Sequence, residues 1–180
     1  DVPGAVLGKQ NVPAHSHFIA QLIQAAAVRT RALPNLYIIS PFKEIASNLK
    51  SELRDVDWGE VGITKRELSD WLAQRVGTVH TFQGKEEDCV IMVLGTDHAH
   101  TGAARWAASK PNLLNVALTR AKKRFYAVGD RGLWAQMSGF DLVARELPVM
   151  TAGEALRKVR ASSGPEPLHK NGIDGSSPPL

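Results

Sequence analysis

Three apolar runs of strand length constrain this chain more than anything else in it: Leu36–Ser40 (LYIIS), Cys89–Leu94 (CVIMVL) and Phe125–Val128 (FYAV). None alternates apolar with polar residues. Such runs read as strands buried on both faces, the signature of a parallel sheet. Helical periodicity fills the intervals: Phe42–Leu53 puts Ile45, Leu49 and Leu53 on one face, and Lys65–Gln74 turns Leu68, Trp71 and Leu72 inward. Pro41 separates LYIIS from the helix after it, giving strand, tight turn and helix, half of a parallel βαβ unit. Ligands of such sheets gather at the carboxyl ends of strands, so Ser40, Pro41, Phe42 and Lys43 lie where a ligand would. The expected fold is α/β, with helices on both faces of a mostly parallel sheet.

The chain has 180 residues, enough for one domain with a sizeable core. We expect a linker or strap over 1–14, the domain over 15–160, and a disordered tail over 161–180, where proline, glycine and serine crowd together. Ser16–Arg31 predicts the first helix, stopped by Pro34; His15 and His17 read as surface residues at its start, with no third metal ligand beside them. Val76–Thr81 (VGTVHT) predicts another strand, joined to Cys89–Leu94 by a polar, hairpin-like turn hinged at Gly84. Asp97–Lys110 reads as a loop or broken helix whose Trp106 could stack on a base, with core packing the weightier reading. Leu133–Leu147 reads as one helix ending at Pro148, and Gly153–Arg160 as a last one.

Several function classes drop out on composition. Lysine and arginine exceed aspartate and glutamate by 22 − 18 = 4, which permits a polyanionic partner without requiring one. The single cysteine, Cys89, excludes an internal disulfide and fits a reducing compartment, so the expectation is cytoplasmic: bacterial cytosol or nucleoid. No apolar run approaches the ~20 residues of a membrane helix, and no basic segment followed by an apolar core opens the chain. Neither a membrane partner nor a metal site is expected. The chain begins with Asp1 rather than methionine, as a piece of a longer protein would. GAVLGKQ, residues 4–10, resembles a phosphate loop but fails as one: three residues rather than four separate Gly4 from Gly8, and Gln10 stands where a serine or threonine would hold magnesium.

The stretch Asn112–Asp130, NLLNVALTRAKKRFYAVGD, gathers the most chemistry. Asn112 is expected to cap a short helix carrying Leu113, Leu114, Val116, Ala117 and Leu118. Arg120, Lys122, Lys123 and Arg124 then form a cationic turn before the FYAV strand. A guanidinium on so stiff a base suits phosphate binding at fixed distance. Charge alone favours a solvated basic loop.

LYIISPFKE, GTVHTFQGKEEDCVIMVL and NLLNVALTRAKKRFYAVGD, in that order, resemble the fourth, fifth and sixth motifs of superfamily-one helicases. Phe82-Gln83 in the fifth marks the 5′-to-3′ group related to nonsense-decay and Okazaki-processing helicases. The resemblance covers Leu36–Leu147 and implies the second of two RecA-like domains, a three-layer fold of the P-loop NTPase type that itself lacks the phosphate loop. It implies an ATP-dependent helicase or translocase on single-stranded DNA or RNA, with ATP and Mg2+ held mainly by an N-terminal RecA-like domain. Arg120 becomes the arginine finger; Gln83, Gly84 and Glu86 line the nucleotide, Glu86 at the ribose. Thr78, His80 and Thr81 touch the nucleic-acid backbone or couple it to the cleft, and Ser40, Pro41 and Lys43 lie near the single strand. Relatives carry Gln-Arg soon after the Pro-aromatic pair where this chain has Ile45-Ala46; Lys43 is the cation able to substitute there and is therefore also counted as nucleotide-binding. The fragment alone, without the phosphate loop and magnesium carboxylates, is expected not to hydrolyse ATP. The alternative is a degenerate, non-catalytic nucleic-acid-binding or scaffolding module. A Rossmann-like binder would need a glycine-rich turn after the first strand, which LYIISPFKE lacks.

Overall fold

Four strands carry the architecture: β1 (Tyr37–Ser40), β2 (Val76–Thr78), β3 (Glu87–Val93) and β4 (Ala121–Val128), in the order β2-β1-β3-β4 and all parallel. The computed structural model describes residues 1–161, the side chain of Pro111 excepted, so the expected tail lies outside the described residues save for Ala161. Around the sheet run α1 (Pro13–Thr30), α2 (Lys43–Asp55), α3 (Lys65–Arg75), α4 (Thr101–Ala108), α5 (Pro111–Thr119), α6 (Arg131–Trp134), α7 (Phe140–Glu146) and α8 (Ala152–Ala161). The connection from β1 to β2 runs one way along the sheet and that from β3 to β4 the other. Right-handed crossovers in opposite directions place α2 and α3 on one face and α4 and α5 on the other. This is the α/β sandwich of a RecA-like domain. β1 and the second half of β3 are covered on both faces, and Ile38, Ile39, Val90, Met92 and Val93 are wholly buried, as their uninterrupted apolar sequence requires.

Residues 1–12 are a strap laid across the carboxyl ends of the strands, and α1 starts at Pro13. Val2 N donates to Gly129 O at 3.0 Å, Val6 N to Asp97 Oδ2 at 2.7 Å, and Gln10 N to Glu44 Oε2 at 2.9 Å. Its own Val2 and Val12 are buried.

Several local expectations are corrected by long-range packing. VGTVHT is strand only to Thr78; Val79–Phe82 is a 3₁₀ turn in which Thr81 Oγ1 accepts from Thr78 N at 3.2 Å. β2 and β3 form no hairpin, because β1 lies between them. Asn112 does not cap α5, which starts one residue earlier at Pro111, where a missing N–H costs nothing. The cationic turn is not a turn: β4 begins at Ala121, and Lys122, Lys123 and Arg124 sit exposed within the strand. Charged residues are tolerated there because β4 pairs on one side only, with β3, and lysines discourage pairing on an open edge. FYAV is accordingly only half-buried, with Tyr126 exposed. His15 is buried at 1% exposure rather than on the surface, Trp106 is 48% exposed rather than in the core, and Leu133–Leu147 is broken between α6 and α7.

Candidate functional site

Arg120 stands at the junction of α5 and β4. Its main chain is fixed from two sides: Glu87 N donates to Arg120 O at 2.9 Å, and Arg120 N donates to Ala117 O at 3.3 Å. Its guanidinium lies across the turn that precedes β3. Nη1 donates to Lys85 O at 3.1 Å and to Phe82 O at 3.5 Å, Nε to Val116 O at 3.1 Å, and Nη2 to Thr119 Oγ1 at 3.0 Å. A guanidinium has five N–H donors, so a single Nη2 donor is left unengaged among the described residues.

The turn itself presents Gln83, Gly84, Lys85 and Glu86 to solvent. Lys85 N closes it on Phe82 O at 3.0 Å. Gly84 adopts φ +80, and a Cβ built there would meet nothing within 4 Å, so the surface beside it is open. Support comes from underneath. Phe82 is wholly buried with its ring centroid 4.4 Å from that of Tyr37. The Arg75 guanidinium stands 5.3 Å from the Tyr37 ring centroid and pairs with the Glu87 carboxylate. A hydrogen bond from Asp88 N, then the one from Arg75, hold Glu87 below the usual carboxylate range. Glu86 pairs with the exposed Lys122 at 3.7 Å, a contact of little energetic weight.

A second set of residues occupies the opposite edge. Ser40 is wholly buried and its Oγ accepts from Phe42 N at 3.2 Å. Pro41 is buried behind it, and Lys43 is exposed at the first position of α2. Thr78 is level with Ser40 in the β1–β2 register, with Thr81 and His80 exposed beyond it. β1 pairs Ile39 with Met92, so Ser40 is level with Val93, six residues along β3 from Glu87. At ~3.3 Å per residue Ser40 stands about 20 Å from Glu87 along the strand direction, whereas the 3₁₀ turn Val79–Phe82 leads from Thr78 directly to Gln83.

The structure therefore sorts the candidate residues. Gln83, Gly84, Glu86 and Arg120 converge at the amino ends of β3 and β4, Ser40, Pro41 and Thr78 lie at the carboxyl ends of β1 and β2, and His80 and Thr81 lie in the 3₁₀ turn that joins the two groups. Lys43 falls with the second group, away from Arg120. The Ile45-Ala46 pair is buried at 1% and 6% exposure, facing the core.

Sequence reasoning passed over a concavity of about 530 Å³ at the carboxyl edge, lined by Lys9, Gln10, Phe42, His100, Gly102 and Trp106, among others. No local pattern announces it, because the strap supplies two of its walls from far away in sequence. Among the described residues no helix is long and apolar enough to cross a membrane, and no group of three His, Cys, Asp or Glu could hold a metal ion.

A family model described as an AAA domain matches residues 8–132, spanning the whole sheet and both sets of residues. No curated protein matches the chain.

Proposed function

The chain belongs to this family of AAA domains, helicase-like and of superfamily one, and on that premise we propose that it is the second motor domain of an ATP-dependent 5′-to-3′ nucleic-acid helicase or translocase. The observation that carries the reading is the Arg120 guanidinium lying on the 82–85 backbone, with Gln83, Gly84 and Glu86 exposed beside it.

The residues at that corner fit one flank of a nucleotide site and no more. Arg120 supplies a fixed cation, Glu86 an exposed carboxylate for a ribose hydroxyl, and Gly84 a backbone that a ligand can approach closely. ATP and Mg2+, held mainly by an N-terminal RecA-like domain, would supply the phosphoryl-transfer energy. In the state described, Arg120 is parked on neutral carbonyl oxygens. A phosphate oxygen carries its own negative charge and can be met bidentately, adding Coulomb attraction that a carbonyl lacks, so exchange of one set for the other is favourable once a phosphate is within reach. The guanidinium then stabilises charge that develops on the transferring group, the role of an arginine finger. Ser40 and Pro41, about 20 Å away on the other edge, form part of the single-strand track together with Thr78, His80 and Thr81, which lead from that edge toward Gln83. Lys43 belongs with that track by position. The 3₁₀ turn Val79–Phe82 runs from the track edge into the nucleotide edge, so movement at one end is transmitted to the other through a few residues.

The test is nucleic-acid-stimulated ATPase of the full-length protein carrying Arg120→Ala. Turnover is expected to fall by about 10³-fold or more, with oligonucleotide binding retained. Turnover within a few-fold of the unmutated protein would remove the finger assignment. A degenerate, non-catalytic module is the second reading. It is favoured by the burial of Ile45 and Ala46, which puts core residues where relatives carry a phosphate-meeting arginine. Absence of ATPase in the unmutated full-length protein would select it.

A further inference from the structure

The strand order β2-β1-β3-β4 has a switch point between β1 and β3, where consecutive crossovers leave in opposite directions. In open parallel sheets the crevice outside the carboxyl ends of such a strand pair is where ligands bind. The concavity lined by Lys9, Gln10, Phe42, His100, Gly102 and Trp106 lies at that place: Phe42 follows the end of β1, and Thr96, just past β3, donates its N–H to Gln10 O at 2.8 Å. Here the molecule also exposes its one accessible indole among the described residues. Trp106 is 48% exposed, whereas Trp58, Trp71 and Trp134 are buried. The indole is backed by Phe42, ring centroids 5.8 Å apart and tilted by 35°, so its orientation is set before anything binds.

The charge around the rings is positive where it is uncommitted. The carboxylate of Glu44 is met by Lys9 N at 3.1 Å and Gln10 N at 2.9 Å, and that of Asp97 by Val6 N, Ala99 N and His100 N. Lys9 lines the concavity, and the exposed Lys43 and Arg105 adjoin the two ring residues in sequence. An aromatic face with cations at its rim is the chemistry that holds an unpaired base and its phosphates.

We propose that Trp106, backed by Phe42 and flanked by Lys9, is a base-stacking subsite for single-stranded nucleic acid. The inference rests on the single-strand track proposed for this same edge and extends it to residues outside the motifs. Stacking on Trp106 holds one base, and the Lys9 ammonium meets the phosphate beside it.

The experiment titrates the full 180-residue chain with oligothymidylate and, separately, oligouridylate, following indole fluorescence and anisotropy. Binding is expected to quench the indole signal. Trp106→Phe should abolish the quench while keeping most of the affinity, and Trp106→Ala should weaken binding about five- to a hundredfold. Gly102→Leu is the second variant: Gly102 lines the concavity, and a Cβ there meets nothing within 4 Å, so the branch starts in open space and is placed to obstruct the ring face. It should weaken binding comparably with Trp106 intact. Unchanged affinity in Trp106→Ala and Gly102→Leu, with no quench in the parent chain, would overturn the stacking subsite and leave the track standing elsewhere. A chain that binds neither oligonucleotide would remove the track and the subsite together. An indole shielded from acrylamide in the full-length protein without nucleic acid would give the concavity to a neighbouring domain instead, and also overturn the proposal.

Discussion

Gly95→Ala is the substitution whose cost can best be worked out from the structure. Gly95 follows β3 with φ +64, a left-handed conformation that costs an L-residue about 1–2 kcal/mol. A Cβ there would overlap Ile45 Cδ1 and stand 2.5 Å from Gln10 O. Neither neighbour can yield cheaply. Ile45 is 1% exposed on α2, and Gln10 O is held by Thr96 N at 2.8 Å. Overpacking of this kind costs about 1–3 kcal/mol, for a total near 2–5 kcal/mol. Gly84→Ala is the control. It shares the left-handed conformation, at φ +80, but no atom lies within 4 Å of the added carbon, so it should cost only the conformational part, about 1–2 kcal/mol. With a urea m-value of about 2 kcal/mol/M, Gly95→Ala should lower the midpoint by roughly 1–2.5 M and Gly84→Ala by less than about 1 M. The assay is equilibrium urea unfolding followed by far-UV circular dichroism. If Gly95→Ala loses no more than Gly84→Ala, then the contact of the strap with α2 over the end of β3 is not rigid, and the crowding argument fails.

Two further predictions concern groups buried beneath the same edge. Burial lowers the pKa of His15, outweighing the hydrogen bond between its Nε2 and Val2 O at 2.6 Å, which acts the other way. Above about pH 6.5, the ordinary histidine value, the ring is neutral in folded and unfolded chains alike and stability is level. Below that value the unfolded chain binds a proton that the folded one resists, so stability should fall until the pH passes the lowered folded value. Urea midpoints between pH 7.5 and 5 should show this decline, and His15→Gln should flatten it; an equal slope in the variant would refute the assignment. Trp134 is 2% exposed and donates Nε1–H to Gly95 O at 3.1 Å. Trp134→Phe leaves that buried carbonyl without its donor and should cost about 1–3 kcal/mol by the same unfolding assay. A loss under about 0.5 kcal/mol would mean that the carbonyl finds another partner.

Much of the fold could be read from local sequence, for an identifiable reason. LYIIS and CVIMVL have no polar face to offer water, so a two-sided burial and hence a parallel sheet were implied by the runs themselves. The helices α2 and α3 followed from their apolar spacing to within two residues. The closeness of Arg120 to the 83–86 turn was also expected, from the order of the motifs, and the pairing of Glu87 with Ala121 at the start of β3 and β4 accounts for it.

Other features depended on contacts between residues far apart in the chain. Nothing near Lys122 says that it is in a strand; β3 decides that, by offering its free side along its whole length. Nothing near His15 says that it is buried; Val2, brought back by the strap, covers it and accepts its hydrogen bond. Trp106 was expected inside on the strength of its apolar area, yet α4 turns Ala104 and Ala107 to the core and leaves the indole against Phe42 at the surface. The division of the candidate residues between two edges is tertiary as well. It comes from the register of parallel strands, which sets Ser40 beside Thr78 and the 83–86 turn beside Arg120. Local sequence determines which faces must be hidden from water, and so the class of fold. Which side chains then meet is determined by strand order and register, properties of pairs of segments that no single segment contains.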